Sequence, residues 1–419
     1  MTESRFHATD TKNIEYSTNT LNRAIDTGKI THDDGQLLKE FITEINATKH
    51  ISPKRTFKLY YTLIGLRDYF GPYRENTIAD IYTGIDNMNK ARKPDGTPMF
   101  KKNTLADYTR FIKRFYLWMS ENGYTKVDVR KLQKIHSPGY DTMTKTAGML
   151  LTEAEVKRIL EACKTSRDRA IISMLYEGGF RIGEMGNLRW RQVQFNEWNV
   201  AINVDDKTGK PRFVPLVMSK PYIAQWKNDY PLALEDDAYV FVTAYRNEGE
   251  QIQYNQLQYQ GIAKKFRTIA VKAGIDKKIT PHLLRHSRIT HLIQQGYSES
   301  VIKLMMWGNI TTDMFRTYAH LVNSDIENEV AIKQGITIPE QRKKSDMLEP
   351  RQCPVCYTIN GPTYNFCSTC GRELTPETAI GKSNAESDID NDPRFKAWMS
   401  KAKAEFQAML GATGAEGAR

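Results

Sequence analysis

Thr280-Pro281-His282-Leu283-Leu284-Arg285-His286-Ser287 carries a helix start in its first two residues. A threonine side chain accepts a hydrogen bond from an otherwise unpaired N–H of the first turn. Proline suits the first helical position, where its missing N–H leaves nothing unbonded. The spacing predicts a helix from His282 and puts His282 and Arg285, three apart, on one face. An imidazole moves a proton, and a guanidinium donates forked hydrogen bonds to an anion. A lone histidine is more often a hydrogen-bonded core residue, so the weight falls on what the rest of the chain brings.

Three further segments bring complementary groups. In Glu177-Gly178-Gly179-Phe180-Arg181-Ile182-Gly183-Glu184, an arginine stands between a helix stop and the next apolar run. Apolar runs near Asn199–Val204 and Arg212–Val217 flank a Gly-containing turn with Lys207, which reads as a β-hairpin. Downstream lies Thr317-Tyr318-Ala319-His320. Phosphodiester exchange needs these residue types. Two guanidiniums clamp the oxygens of a pentacoordinate phosphate, a phenol attacks once its proton is removed, and a lysine or histidine protonates the departing oxygen. Taken singly, Arg181 is a plausible helix cap, Lys207 a solvated tip, and Tyr318 one of 21 tyrosines with a half-buried default.

The order and spacing of these segments resemble the tyrosine recombinase (phage integrase) family. The Glu177–Glu184 stretch is similar to its first-arginine box. Lys207 through Val214-Pro215-Leu216 resembles its lysine hairpin, Thr280–Ser287 its His-x-x-Arg box, and Thr311-Thr312 through His320 its nucleophile box. The likeness spans about residues 32–335, strongly from Thr152 onward and weakly before it. It implies that Tyr318 attacks to give a 3′-phosphotyrosine, that Arg181 and Arg285 hold the phosphate, and that Lys207 acts as general acid. It further implies that His282 assists, that Glu184 orients the cluster, and that strand exchange needs neither ATP nor a metal. One position departs from the pattern. Counting back nine from Tyr318, where the family has histidine or tryptophan, this chain has Asn309, within Trp307-Gly308-Asn309. An amide donates a hydrogen bond but carries no proton charge, so Trp307 is a second candidate for that role.

Further upstream, Leu37, Leu38, Phe41, Ile42 and Ile45 recur at helical spacing. Helices are also predicted around Phe57–Ile64, Ile78–Met88 and Leu105–Met119, the last carrying Arg110, Lys113 and Arg114 after Lys101 and Lys102. A basic helix of this kind is either a DNA-facing surface or a solvated face. The expected fold is mainly α with a small antiparallel hairpin or sheet. The expected domains are a flexible segment at 1–31, a helical, SAM-like DNA core-binding domain at 32–138, a linker at 139–149 and a catalytic domain at 150–345. The catalytic domain opens on the capping box Thr152–Glu155.

Cys353-Pro354-Val355-Cys356 and Cys367-Ser368-Thr369-Cys370 place four thiolates at the spacing of a zinc ribbon, expected at 350–373. Iron is the runner-up metal. Residues 374–419 read as a polar linker followed by an amphipathic helix with Phe395, Trp398, Met399 and Phe406 on one stripe, suited to docking on its own chain or a partner.

Lys plus Arg exceed Asp plus Glu by 11, which favours a nucleic-acid partner without proving one. No run of about 18 apolar residues exists, so no membrane association is expected. The expected partner is double-stranded DNA, bound by a homo-tetramer on two sites and by a chain that is monomeric free in solution. The expected location is the cytoplasm, with the nucleoid when bound. The leading expectation is an integrase of a mobile element such as a virus or plasmid. A Xer-like chromosome-dimer resolvase and a catalytically weakened DNA-binding regulator are the alternatives.

Overall fold

A computed structural model describes residues 9–141, 147–204, 212–245, 252–315, 318, 334 and 347–414. The chain divides into two compact units, Met1–Ala147 and Gly148–Arg419.

The first unit is a helical bundle: α1 (Asp10–Asp26), α2 (His32–Lys49), α3 (Pro53–Leu66), α4 (Ile78–Lys90), α5 (Lys102–Glu121) and the short α6 (Val129–Gln133). Side-chain caps from Thr9, Thr31, Ser52, Thr77 and Asp128 start all of these except α5. Leu37, Leu38, Phe41, Ile42 and Ile45 are buried, as their period requires, with the Phe41 ring against Phe115 and Trp118 of α5. Asp34 has no exposed surface; its carboxylate accepts from Thr31 N–H, Arg67 Nε and Tyr73 N–H at 3.0, 2.7 and 2.8 Å.

The N-terminal segment, expected to be flexible, is helical from Asp10 and packs on α3. Its buried stripe is Asn13, Ser17, Leu21 and Ala24. Half of that stripe is polar, but Asn13 and Ser17 donate to the carbonyls of Thr9 and Asn13, so burial leaves those donors bonded. The basic face of α5 is also partly structural. Lys113 Nζ donates to the carbonyls of Gln133 and Ile135 at 2.7 Å each, and Arg110 stacks 4.4 Å from the Tyr140 ring centroid.

The second unit is built on α8 (Ser166–Glu177), which is buried from Ala170 to Glu177 and packed by α7 (Glu153–Glu161), α10 (Lys220–Asn228) and α12 (Pro281–Gln294). The short α9 (Ile182–Gly186) leads into an antiparallel sheet of order β1-β2-β3: Val193–Phe195, Val200–Val204 and Arg212–Leu216. The last two strands pair from Val204 opposite Arg212 to Val200 opposite Leu216, which is the predicted hairpin. Further on, β4 (Val242–Tyr245) pairs antiparallel with β5 (Gln253–Gln256). Helices α11 (Tyr259–Lys272) and α13 (Glu299–Trp307) complete this part.

The cysteine module follows, with β6 (Arg351–Gln352) antiparallel to β7 (Ile359–Asn360). Residues expected to form a polar linker are instead the helix α14 (Pro376–Asn391), capped by Thr375 with proline in its first turn. The final helix α15 (Pro393–Gly414) carries the expected apolar stripe, with Trp398 and Phe406 both about three-fifths exposed. The fold is thus mainly helical with small antiparallel sheets. Among the described residues no helix is long and apolar enough to cross a membrane.

Candidate active site

Helix α12 starts as its sequence requires, with Thr280 Oγ1 accepting from Leu283 N–H at 3.1 Å and Pro281 in the first turn. Arg285 is buried there, while His282, one turn earlier, is exposed. Arg285 Nη2 donates to the Met306 carbonyl at 2.6 Å, and Nη1 to the Gly179 carbonyl. Its guanidinium lies 5.2 Å from the Trp307 ring centroid. Burial, reinforced by the charges of Arg212 and Arg181, pulls Arg285 down to about 10, so it remains a cation at neutral pH.

Gly178 and Gly179 make the turn out of α8. Gly179 holds φ +54°, and a Cβ there would fall 2.4 Å from Met306 Sδ. Glycine takes this positive φ without strain, and any larger residue would also have to displace the Met306 side chain. Arg181 follows at the N-cap of α9, in extended backbone just before Ile182. Glu184 accepts from Arg181 N–H at 2.8 Å and from Arg181 Nη1 at 2.7 Å, and also pairs with Arg212. Burial pushes the Glu184 carboxyl up, but the charge and hydrogen bonds of Arg212 and Arg181 outweigh it and hold Glu184 below the usual carboxylate range. Arg181 itself is 45% exposed at its side chain, a cation tethered at one edge and open at the other.

Tyr318 is 5% exposed, in a cluster with Ile289, Leu292, Ile302, Met306 and Trp307. Its hydroxyl is hydrogen-bonded to His286 Nδ1. Burial drives the phenol's pKa upward, opposed by the nearby charge of Arg285. Asn309 Oδ1 accepts from Thr311 N–H at 3.0 Å and Thr311 Oγ1 at 2.9 Å. Its carbonyl oxygen therefore holds a turn, and only the NH₂ end has donors to offer. Trp307 belongs to the cluster itself, with Arg285 over its ring and the Tyr318 ring 6.4 Å away at a 58° tilt. Lys207 lies outside the described residues.

The structure thus joins Arg181, Glu184, Arg285 and Tyr318, and adds three residues not singled out in the sequence. Arg212, at the foot of the Lys207 hairpin, is buried and donates to Glu184 and to the Met305 carbonyl. His286 holds the phenol. Glu177 accepts from the N–H groups of Val217, Met218 and Ser219 at 2.8, 2.9 and 2.7 Å, pinning the end of α8 to the start of α10. His286 was legible by adjacency to Arg285, but Arg212 and Glu177 have no local signal.

The comparisons follow the same lines. The model of the phage integrase family matches residues 149–324. Transposase A from transposon Tn554 of Staphylococcus aureus is 31% identical over 267 residues, covering 61% of this chain and 68% of its own. The chain belongs to the phage integrase family of tyrosine recombinases. Tyrosine recombinase XerA of Pyrococcus furiosus is 26% identical over 264 residues, 55% of this chain and 87% of its own. The fold is also that of the Tn1549 transposon integrase, solved in complex with a circular intermediate DNA, at TM-score 0.51 and 13% identity over 71% of this chain and 99% of that one. The chain is a tyrosine site-specific recombinase, and Arg285 of α12 and Tyr318 both lie against the end of α13.

The four cysteine Sγ atoms all lie within 4.8 Å of one another, close enough to hold one metal ion. Four thiolates about 2.3 Å from a tetrahedral zinc give a cage of this size. Asn360 Nδ2 and Thr369 N–H point at Cys367 Sγ at 3.6 and 3.5 Å, as donors that favour a thiolate. The module is seated on α10. Tyr222 Oη is 2.7 Å from Thr363 Oγ1 and accepts from Thr363 N–H at 3.3 Å, and Tyr364 meets the Tyr222 ring edge-on at 5.6 Å. Cys163 is separate and buried, its thiol donating to the Ile159 carbonyl.

Proposed function

We propose that this recombinase cleaves and rejoins double-stranded DNA through a 3′-phosphotyrosine on Tyr318. The observation that carries the reading is the convergence of Arg285, Arg181 and Tyr318 on one site, with Arg285's charge acting on the phenol. Arg181 and Arg285 clamp the non-bridging oxygens of the scissile phosphate, where charge builds in the pentacoordinate state. Glu184 positions Arg181. Lys207, on the hairpin rooted at Arg212, protonates the leaving 5′ oxygen, and His282 assists from the exposed face of α12. Asn309 or Trp307 supplies the remaining donor. Because the phosphotyrosine conserves the phosphodiester, the exchange runs without ATP or a catalytic metal. The phenol is covered, so DNA binding has to open the pocket around Tyr318.

The four cysteines hold a structural zinc ion that folds the ribbon. The exposed apolar stripe of α15 contacts another copy, in a tetramer assembled on two DNA sites from chains that are monomeric when free. The biological role is integration or excision of a mobile element, supported by the likeness to a transposon's transposase. The likeness to XerA keeps chromosome-dimer resolution as the second reading. A regulator without catalysis is the weaker alternative, because Asn309 alone favours it. The test is covalent capture on a nicked duplex that traps the cleaved intermediate. The native chain forms an adduct and Tyr318→Phe forms none; an adduct-free native chain on its own site DNA supports the regulator.

A further inference from the structure

A phenol at neutral pH is a weak nucleophile toward phosphorus, and its proton has to leave as the new bond forms. The need is greater here, because burial holds the Tyr318 proton more tightly than usual. A base for that step must stand within hydrogen-bond reach of the phenol. The residue that does so is His286, whose Nδ1 bonds the Tyr318 hydroxyl, with the two rings 5.6 Å apart between centroids and tilted by 38°. His282, the histidine the motif marks, is exposed one helical turn away.

The placement of His286 is built into α12. It follows Arg285 directly, so the backbone that aims the guanidinium at the Gly179 and Met306 carbonyls also sets the imidazole. The His286 carbonyl accepts from Thr290 Oγ1 at 3.1 Å, inside a helix whose next turns are buried. The ring is half-buried, between the interior and the surface.

We infer that His286 is a further catalytic residue, the general base that takes the Tyr318 proton during cleavage and returns it during rejoining. The inference rests on Tyr318 being the nucleophile. In cleavage the Tyr318 oxygen bonds to phosphorus while the bond from phosphorus to the 5′ oxygen breaks. The phenolic proton passes to His286 Nδ1, and the departing oxygen takes a proton from the general acid proposed above. Rejoining reverses each transfer. The 5′ hydroxyl gives its proton back to that acid and attacks phosphorus, and the leaving phenolate recovers its proton from the imidazolium. A cycle of cleavage and rejoining leaves both groups as they began.

A purely structural latch makes the opposite prediction, since removing it frees the phenol and leaves cleavage as fast or faster. The experiment uses the full chain and a nicked duplex recovered with the native protein from a randomised library. That duplex is made in two forms, with oxygen or sulfur at the bridging 5′ position of the scissile phosphate. Sulfur leaves without a proton, so it bypasses the acid but not the base. Expected for both His286→Ala and His286→Asn is adduct formation slower by about 100-fold or more on the oxygen substrate, with the same deficit on the sulfur substrate. Asparagine keeps a hydrogen-bond acceptor near Nδ1 but takes up no proton, so it serves if alanine disturbs the fold. Adduct formation at the native rate or faster overturns the inference, as does rescue by sulfur, which would make His286 an acid. If the native chain recovers no adduct, the nucleophile assignment fails and this inference with it. Native adducts alongside unimpaired His286 variants sink the inference alone.

Discussion

Arg212 and Arg285 bind the same two stretches of backbone one residue apart. Arg212 Nη1 donates to the carbonyls of Gly178 and Met305, and Arg285 to those of Gly179 and Met306. Each guanidinium also lies 5.2 Å from an aromatic ring centroid, Phe180 for Arg212 and Trp307 for Arg285. Two like charges this near repel, and their repulsion adds to the burial that lowers Arg285. Glu184 offsets it by pairing with Arg212 and with Arg181. The turn before Arg181 and the helix end before Tyr318 are therefore held together by cations.

Arg212→Leu should be strongly destabilising, because it leaves the buried Glu184 without its better-covered partner. A loss of about 3–5 kcal/mol is expected in guanidinium unfolding. Arg181→Ala, at an exposed pair, should cost about 0–1 kcal/mol in the same assay while abolishing cleavage. Equal stability losses in the two variants would contradict the division between a buried tie and an open clamp.

Acid should destabilise the second unit before its carboxylates titrate. Burial, reinforced by the charge of Arg288, pulls His291 down to about 4, and its Nδ1 is 2.7 Å from the Tyr176 hydroxyl. The unfolded chain takes up this proton near about pH 6.5. The folded state thus has the full contribution above that pH and loses it as pH falls toward about 4. The window is worth about 3 kcal/mol. Urea unfolding between pH 7.5 and 4.5, in the native chain and His291→Asn, checks this; an unchanged pH slope in the variant would count against it.

Metal removal should unfold the ribbon and spare the rest of the second unit. With its own core this small, the module depends on the ion for folding. Chelation, or Cys353→Ser, is expected to abolish amide-exchange protection between Cys353 and Cys370 while α8 stays protected. Retained protection in the ribbon after chelation would show that it folds without metal.

The ribbon's seat on α10 has its own test. A Cβ at Gly361 would come within 2.5 Å of the Tyr222 ring, a fully buried side chain. Gly361→Ala should bind one equivalent of zinc as the native chain does, yet expose the 359–364 segment to proteolysis. Loss of zinc along with docking would mean that the seat is required for the metal site itself.

Much of this was legible in the sequence where the signal is local. Capping chemistry announced α12 at Thr280-Pro281 and α7 at Thr152, and the structure has both. Apolar runs on either side of a Gly-containing turn announced the hairpin of β2 and β3. The misses share a different cause. Helix α1 was hidden because hydropathy scores Asn13 and Ser17 as surface, although each bonds its own helix. Helix α14 was hidden because its described side chains are nearly all exposed, leaving no apolar period to find. Arg212 resembled any hairpin residue, since its partners lie 28 and 93 positions away. The contact of Tyr222 with Thr363 bridges 141 positions between modules that read as independent.

The most direct measurement is digestion of the covalent protein–DNA adduct, followed by mass identification of the peptide that retains nucleotide. A single 3′-linked nucleotide remnant on Tyr318 is the result expected. A remnant on any other side chain, or a 5′ linkage, would contradict the assignment of this phenol as the nucleophile.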